Sequence, residues 1–286
     1  MNSLKVLRYN AYVFISSRAN DSKALGAFVD MGKRRHGSEL LASQAFFQEN
    51  ESRAAHITSL LADETSKEVY RSLIQYRCTR ERRFVNPHMQ PKKTSYLDEE
   101  LIVPSDSEVF IDIGAFQGNS SLFFQALCLR AGKAPPHCVL FEPDPFNFTR
   151  LQKNLPKFKK TPVCFPMGLG REKARLRFRS DALSMSAIDE AGQGMIEADT
   201  LDHVLAGLPE FLPTYIKIDV EGADLDVLHG AQNTIVKFRP RLAIAIYHSD
   251  GHMLAIPEAI HEICPSYRLY VRHYACLEGE TVLYCI

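Results

Sequence analysis

Residues 109–118 read Val109-Phe110-Ile111-Asp112-Ile113-Gly114-Ala115-Phe116-Gln117-Gly118, and Asn119-Ser120-Ser121 follow. The first five, apolar except for Asp112, have the composition of a strand covered on both faces. Glycines at 114 and 118 let the backbone turn tightly, pass close to a ligand and enter a helix near Asn119. A second apolar run, Val139-Leu140-Phe141, ends at Glu142, where an acid is placed to accept hydrogen bonds from the two hydroxyls of a ribose. Strand, glycine turn, helix, strand and terminal acid together predict a nucleotide-cofactor site. The spacing is G-x-x-x-G. The G-x-G-x-x-G of dinucleotide binders, which builds a pyrophosphate cradle at a helix N-terminus, is absent. A cofactor without a pyrophosphate is therefore expected, and an adenosyl group bearing a cationic sulfonium and an amino-acid tail suits the carboxylate of Asp112.

Outward from this stretch the pattern alternates strand and helix, as in a parallel sheet covered on both faces. Strands are predicted at 109–113, 138–142, 162–166, 215–219 and 242–247, with helices at 119–131, 145–154, 223–237 and 256–263. Arg175 to Arg179 alternates charged and apolar residues and reads as an exposed or edge strand. Tyr267 to Val271 and Thr281 to Cys285, separated by Glu278-Gly279-Glu280, predict a terminal antiparallel hairpin. Residues 1–95 read as a mainly helical N-terminal extension, a region for substrate or oligomer contacts, and 96–286 as the catalytic domain; Pro87, Pro91 and Lys92-Lys93-Thr94-Ser95 mark the boundary. The small, polar run from Ser180 to Ser186 reads as a loop near the rim, able to cover substrate or simply to connect strands.

The chain's 286 residues are 45% hydrophobic and 24% charged, as in an ordinary globular protein, and Lys plus Arg equals Asp plus Glu at 34 each. That balance gives no reason to expect nucleic acid or an anionic membrane as partner; the basic run Arg77, Arg80, Arg82, Arg83 reads as a solvated helix end. No long apolar stretch or cleavable leader is legible, so a cytoplasmic, unanchored protein is expected. The seven cysteines form no C-x-x-C pair and read as reduced core thiols.

Phe110-Ile111-Asp112-Ile113-Gly114-Ala115, Phe141-Glu142-Pro143 and above all Ile216-Lys217-Ile218-Asp219-Val220-Glu221-Gly222-Ala223-Asp224 with Leu228-His229-Gly230-Ala231 resemble the FkbM family of S-adenosylmethionine-dependent methyltransferases. The likeness covers roughly residues 105–286 and includes Thr200-Leu201-Asp202 and Tyr247-His248. It implies a class I methyltransferase fold, a Rossmann-like α/β sheet of seven strands, six parallel and the last antiparallel. It also implies methylation of a hydroxyl on a small molecule such as a sugar, a polyketide or another secondary metabolite, leaving S-adenosylhomocysteine. By position, Asp112, Gly114, Ala115, Gly118 and Asn119 would surround the methionine part, Glu142 and Pro143 the ribose, Met167 and Gly168 the adenine, and Asp219 the methyl group. The family turn carries Asn-x-Gly after Gly-Ala, where this chain has Phe116-Gln117-Gly118, so the contact made by that Asn is not carried over onto Phe116.

Strand ends gather the candidate catalytic residues Asp219, Glu221 and His248, because ligands in such sheets lie beyond the carboxyl ends of the strands. His248 is read as a base oriented by Asp250, with turnover rising through its titration near pH 6 to 7. Asp219 is a site residue or a cap for the helix after Ala223. Lys217 reads as structural. Magnesium on Asp219, Glu221 and His248 is a competing reading that no ligand spacing demands, so no metal is assigned. A non-catalytic binding protein on a cofactor fold and an NAD-dependent oxidoreductase are the alternatives; a homo-oligomer is compatible with either.

Overall fold

A computed structural model of the chain describes residues 38–91, 94–179, 187–188, 192, 194–277 and 279–286. The expectations for residues 1–37 and for the loop at 180–186 lie outside the described residues. Eleven strands are described: β1 Val109–Ile113, β2 His137–Phe141, β3 Val163–Phe165, β4 Gly168–Leu169, β5 Ala174–Arg179, β6 Ala187–Ile188, β7 Gly194–Asp199, β8 Tyr215–Ile218, β9 Arg241–Ala245, β10 Leu269–His273 and β11 Thr281–Cys285. Seven of them form one sheet in the order β10-β11-β9-β8-β1-β2-β3. Within it only β11 runs antiparallel to its neighbours, as the sequence predicts. Chain order reverses between β1 and β8, and this switch point opens the crevice in which such sheets bind ligands.

The remaining strands form a second sheet, β4-β7-β5-β6. The expected edge strand 175–179 is therefore flanked on both sides, by β7 and β6. Its alternation reports that one face is open to water, not that the strand is unpaired.

The helices are α1 through residues 38–49, α2 Glu51–Leu60, α3 Glu64–Thr79, α4 Asn119–Arg130, α5 Pro145–Asn154, α6 Leu201–Ala206, α7 Asp224–His229, α8 Gln232–Phe238 and α9 Asp250–Ile263. The single helix expected at 223–237 is split into α7 and α8 around Gly230. A Cβ there would lie 2.0 Å from the Gly170 carbonyl oxygen, so the chain needs glycine where this helix junction meets the residue after β4. Helix α9 starts earlier than predicted, because the Ser249 side chain caps it by accepting from the His252 N–H. Pro257 sits inside α9 and lacks the N–H that would bond the carbonyl of Met253. The hydroxyl of Tyr70 on α3 donates to that carbonyl instead, at 2.9 Å.

Strand alternation divides the core between the two faces of the sheet. Ile111, Ile113, Phe141, Ile216 and Ile218 pack with α7, α8, α9 and with Ile57, Val69, Tyr70 and Leu73 of α2 and α3. Phe110, Leu140 and Tyr215 pack with Phe124, Leu127 and Tyr96 on the other face. The hydrophobic core is thus continuous across the boundary expected near residue 95. The described part of the helical extension also pairs with β10, through bridges Leu61 to Leu269 and Met89 to His273. All seven cysteines are free thiols, four of them buried, as expected. Among the described residues no helix is long and apolar enough to cross a membrane.

Candidate functional site

The glycine turn after β1 is fixed by its neighbours. The N–H groups of Gly114 and Ala115 both donate to the Phe141 carbonyl, at 3.1 and 2.9 Å. Gly114 has φ +79°, and a Cβ on it would stand 1.9 Å from the Asp219 carbonyl oxygen. Only glycine fits, and the fit presses the turn against the end of β8. Gly118 also has positive φ, +80°, and opens α4, whose first residue Asn119 is exposed.

Glu142, just beyond β2, is buried, and its two oxygens each accept one backbone N–H: Phe116 at 2.7 Å and Asp144 at 2.9 Å. Each oxygen keeps a lone pair for a hydroxyl. Burial pushes the Glu142 carboxyl up to about 7, against the pull of the two N–H bonds. Pro143 and Asp144 follow, and Asp144 caps α5 by accepting from Phe146 and Asn147. Met167 and Gly168, half-buried, lead into β4, on the neighbouring sheet.

Asp112 lies beneath the turn. It is fully buried, and the parallel register sets it opposite Lys217. Ser121 of α4 donates to one carboxylate oxygen at 2.7 Å, and the Lys217 ammonium lies 3.1 Å from the other. The same ammonium donates to the Gly114 carbonyl at 2.8 Å, so Lys217 also pins the turn. The Asp112 carboxylate thus ties together β8, through Lys217, and α4, through Ser121. Burial opposes the lysine's charge, but Asp112 and Asp219 outweigh it and raise its pKa, so the buried ammonium keeps its charge.

On the other side of the turn the expected trio comes together. His248 is nearly fully buried, 3% exposed at its side chain; its Nε2 lies 3.4 Å from an Asp219 oxygen and 3.7 Å from a Glu221 oxygen. Its Nδ1 is 2.7 Å from Asp224, which must accept, so Nδ1 carries a proton. Asp224 is fully buried and also receives the N–H groups of Val220 and Gly222, which shape the turn that sets Glu221 at φ +54°. The tyrosine hydroxyl of Tyr247 reaches Asp219 at 3.3 Å.

Two expectations are corrected here. The acid that orients His248 is Asp224; Asp250 bonds Arg77 of α3 at 2.7 Å and Ser43 of α1 at 2.6 Å. Nor does His248 titrate near 6 to 7. Burial alone would favour the neutral ring, but Asp224 and Asp219 overcome it and lift the pKa to about 10, so the free site holds an imidazolium and not a base. Asp219 shows the reverse: burial would raise its carboxyl, yet His248 and Lys217 hold it well below the usual carboxylate range. Asp219 is not a helix cap, since α7 begins after Ala223 without a side-chain cap bond.

Sequence reasoning overlooked Asp224, Ser121 and Tyr96, and undervalued Lys217. Lys217 could have been found: a lysine in an apolar strand, two positions before Asp219, needs a buried partner. Tyr96 carries no such signal. It belongs to the segment before β1, is buried, and places its ring 5.3 Å from the Lys217 ammonium.

The profile of the family described as "Methyltransferase FkbM domain" matches residues 112–266, just over half of the chain. The chain is 25% identical over 133 residues to the hexuronic acid methyltransferase AglP of Haloferax volcanii, covering 46% of this chain and 52% of that protein. The chain thus spans about half the length of the curated relative it matches. The crystal structure of methyltransferase FkbM from Methylobacillus flagellatus KT superposes with a TM-score of 0.74 at 24% identity, over 85% of this chain and 60% of that one. At that identity the superposition speaks to the fold alone.

Proposed function

This chain belongs to the FkbM methyltransferase family, and from that premise we propose that it transfers a methyl group from S-adenosylmethionine to a hydroxyl of a small polar acceptor. When bound, S-adenosylmethionine supplies a methyl group on a sulfonium, which leaves its bonding pair on sulfur as the methyl passes to a nucleophile. The observation that carries the reading is the contact between Gly114 and the Asp219 carbonyl, which makes the cofactor turn and the acidic rim one continuous site.

The residues fit such a molecule. Glu142 offers a ribose two lone pairs on a carboxylate already fixed by Phe116 and Asp144. Lys217 and Asp112 hold the turn from below, and Gly114 keeps its floor clear of side chain. Across the turn, Asp219 and Glu221 accept hydrogen bonds from acceptor hydroxyls and orient an oxygen toward the turn. His248, held as a cation, steadies the two acids and does not take the proton. Positioning in a water-poor crevice supplies most of the rate, as it does for displacements that need no covalent intermediate. The Haloferax volcanii relative is named for hexuronic acid, which makes uronates and other hydroxylated sugars the first acceptors to try.

Calorimetric titration with S-adenosylhomocysteine, S-adenosylmethionine and NAD tests the cofactor, and labelled S-adenosylmethionine with a panel of uronates, glycosides and polyols tests the reaction. Binding of the first two without NAD, and label in an ether linkage, is expected. Binding of NAD alone would make the protein an oxidoreductase. Tight S-adenosylhomocysteine binding with no transfer to any hydroxyl would leave a cofactor-fold binding protein.

A further inference from the structure

The sequence spacing of Asp219, Glu221 and His248 demands no metal, but the folded arrangement has features that a hydrogen-bonded cluster does not need. His248 is buried on all but 3% of its side chain, and its Nε2 makes no hydrogen bond although it faces two carboxylates. Its other nitrogen is locked by Asp224 at 2.7 Å, and Asp224 is itself held by the Val220 and Gly222 N–H groups. An imidazole tethered through one nitrogen to a buried carboxylate, with the other nitrogen aimed into a cluster of oxygens, is the outer support found behind metal-bound histidines. Distances agree. Adjacent ligands of an octahedral cation with bonds near 2.1 Å stand about 3 Å apart, and Nε2 lies 3.4 Å from Asp219 and 3.7 Å from Glu221. All three ligand atoms fall within 4.8 Å of one another.

We propose that Asp219, Glu221 and His248 bind one divalent cation of the manganese or magnesium class, which displaces to solvent the Nε2 proton that His248 carries in the cation-free site and in turn grips the acceptor through adjacent oxygens. Two carboxylates and one imidazole suit manganese best among such ions. Three protein ligands leave sites for two oxygens of a vicinal diol or a hydroxy acid. A hydroxyl held there gives its proton to solvent and keeps the electron pair on oxygen, which serves the transfer argued above. The neighbouring group of Asp224, His248 and His252 is not an equivalent site, because Asp224 and the His248 Nδ1 are already bonded to each other. The Lys217 ammonium below the rim is paired with Asp112 at 3.1 Å.

This inference rests on the methyltransferase reading for its purpose but not for its test. Full-length protein, stripped with chelator, is titrated with manganese while the free-ion electron paramagnetic resonance signal is followed. Loss of signal to one ion per chain, with nitrogen hyperfine coupling from a single imidazole, is expected. Glu221→Gln, a change at a partly exposed side chain, and His248→Gln should each weaken manganese by about tenfold or more, and His248→Gln should abolish the nitrogen coupling. Both should bind S-adenosylhomocysteine within about twofold of the parent, which also certifies their fold. Absence of manganese binding at millimolar concentration, or equal binding by Glu221→Gln, overturns the site. Manganese binding without S-adenosylhomocysteine binding would instead keep the cation site and remove the cofactor reading.

Discussion

Glu142 and Asp219 follow the strands that flank β1 on its two sides, and both carboxylates sit at the same rim of one sheet. Their acidities diverge. Glu142 is surrounded by backbone donors and apolar atoms, and its pKa climbs to about 7. Asp219 has a lysine beneath it and a histidine beside it, and its pKa falls below the usual range. At Glu142 two backbone donors and a weaker pull from Lys217 do not offset burial, whereas at Asp219 His248 and Lys217 together do. One side of the turn is thus prepared to meet neutral hydroxyls, and the other to hold positive charge.

The sharpest way to break this contrast is to remove the cation they share as a neighbour. Lys217→Met leaves Asp112 buried without its ion pair and should cost roughly 3–5 kcal/mol, read by urea denaturation. A smaller loss, similar to that of an exposed lysine, would mean that Asp112 takes up a proton or finds another partner. Replacing Asp112 by Asn in the same chain should restore part of the loss.

A second test uses pH. The folded pKa of Glu142 lies above its ordinary value of 4.5, so its contribution is intact below that value and is lost as pH rises through about 7. The penalty approaches about 3 kcal/mol at alkaline pH. Glu142→Gln should flatten the fall in stability between pH 5 and 8 by an amount of that order (~3 kcal/mol). Asp219 works in the opposite direction: its stabilisation is present at neutral pH and disappears only in acid, as pH falls from about 4. An unchanged slope in Glu142→Gln would show that the carboxyl is not displaced from its ordinary range.

The third outcome concerns ligand. Glu142→Ala should weaken S-adenosylhomocysteine by about 1.5–3 kcal/mol, the loss of hydrogen bonds to a charged group. Because hydroxyls favour the ionised carboxylate, the parent's affinity should increase as pH rises toward 7 and level off above it, a trend the alanine variant should lack. The smallest expected effect is at Glu221, whose side chain is 23% exposed. Glu221→Gln should change stability by less than about 0.5 kcal/mol. A large loss there would mean that the rim holds the fold together as well as serving the site.

Much of this was readable beforehand. Residues 109–118 announce a buried strand and a tight turn because hydrophobicity and glycine act locally, and Glu142, Asp219, Glu221 and His248 follow because each lies within three residues of a strand's end. What was not readable depends on register and on distant chain. Asp112 meets Lys217 only because β1 and β8 pair in parallel with those two opposite. Asp224 replaces Asp250 beside His248 because a turn and a helix start bring it there, while Arg77, 173 positions away in sequence, claims Asp250. The glycine at 230 similarly answers to the Gly170 carbonyl, sixty positions earlier in the chain. Period and composition do not carry such information.

The covering of β10 by residues of the helical extension has a consequence for solubility. A terminal strand of a sheet offers a row of free N–H and C=O groups to any other chain, the usual route to self-association. Here Ala62 and Gln90 donate to the carbonyls of Leu269 and His273, each at 2.8 Å, so the protein's own backbone occupies that row at both ends of the strand. A chain begun at residue 96 would keep the glycine turn and the acidic rim, yet present a bare strand to its copies.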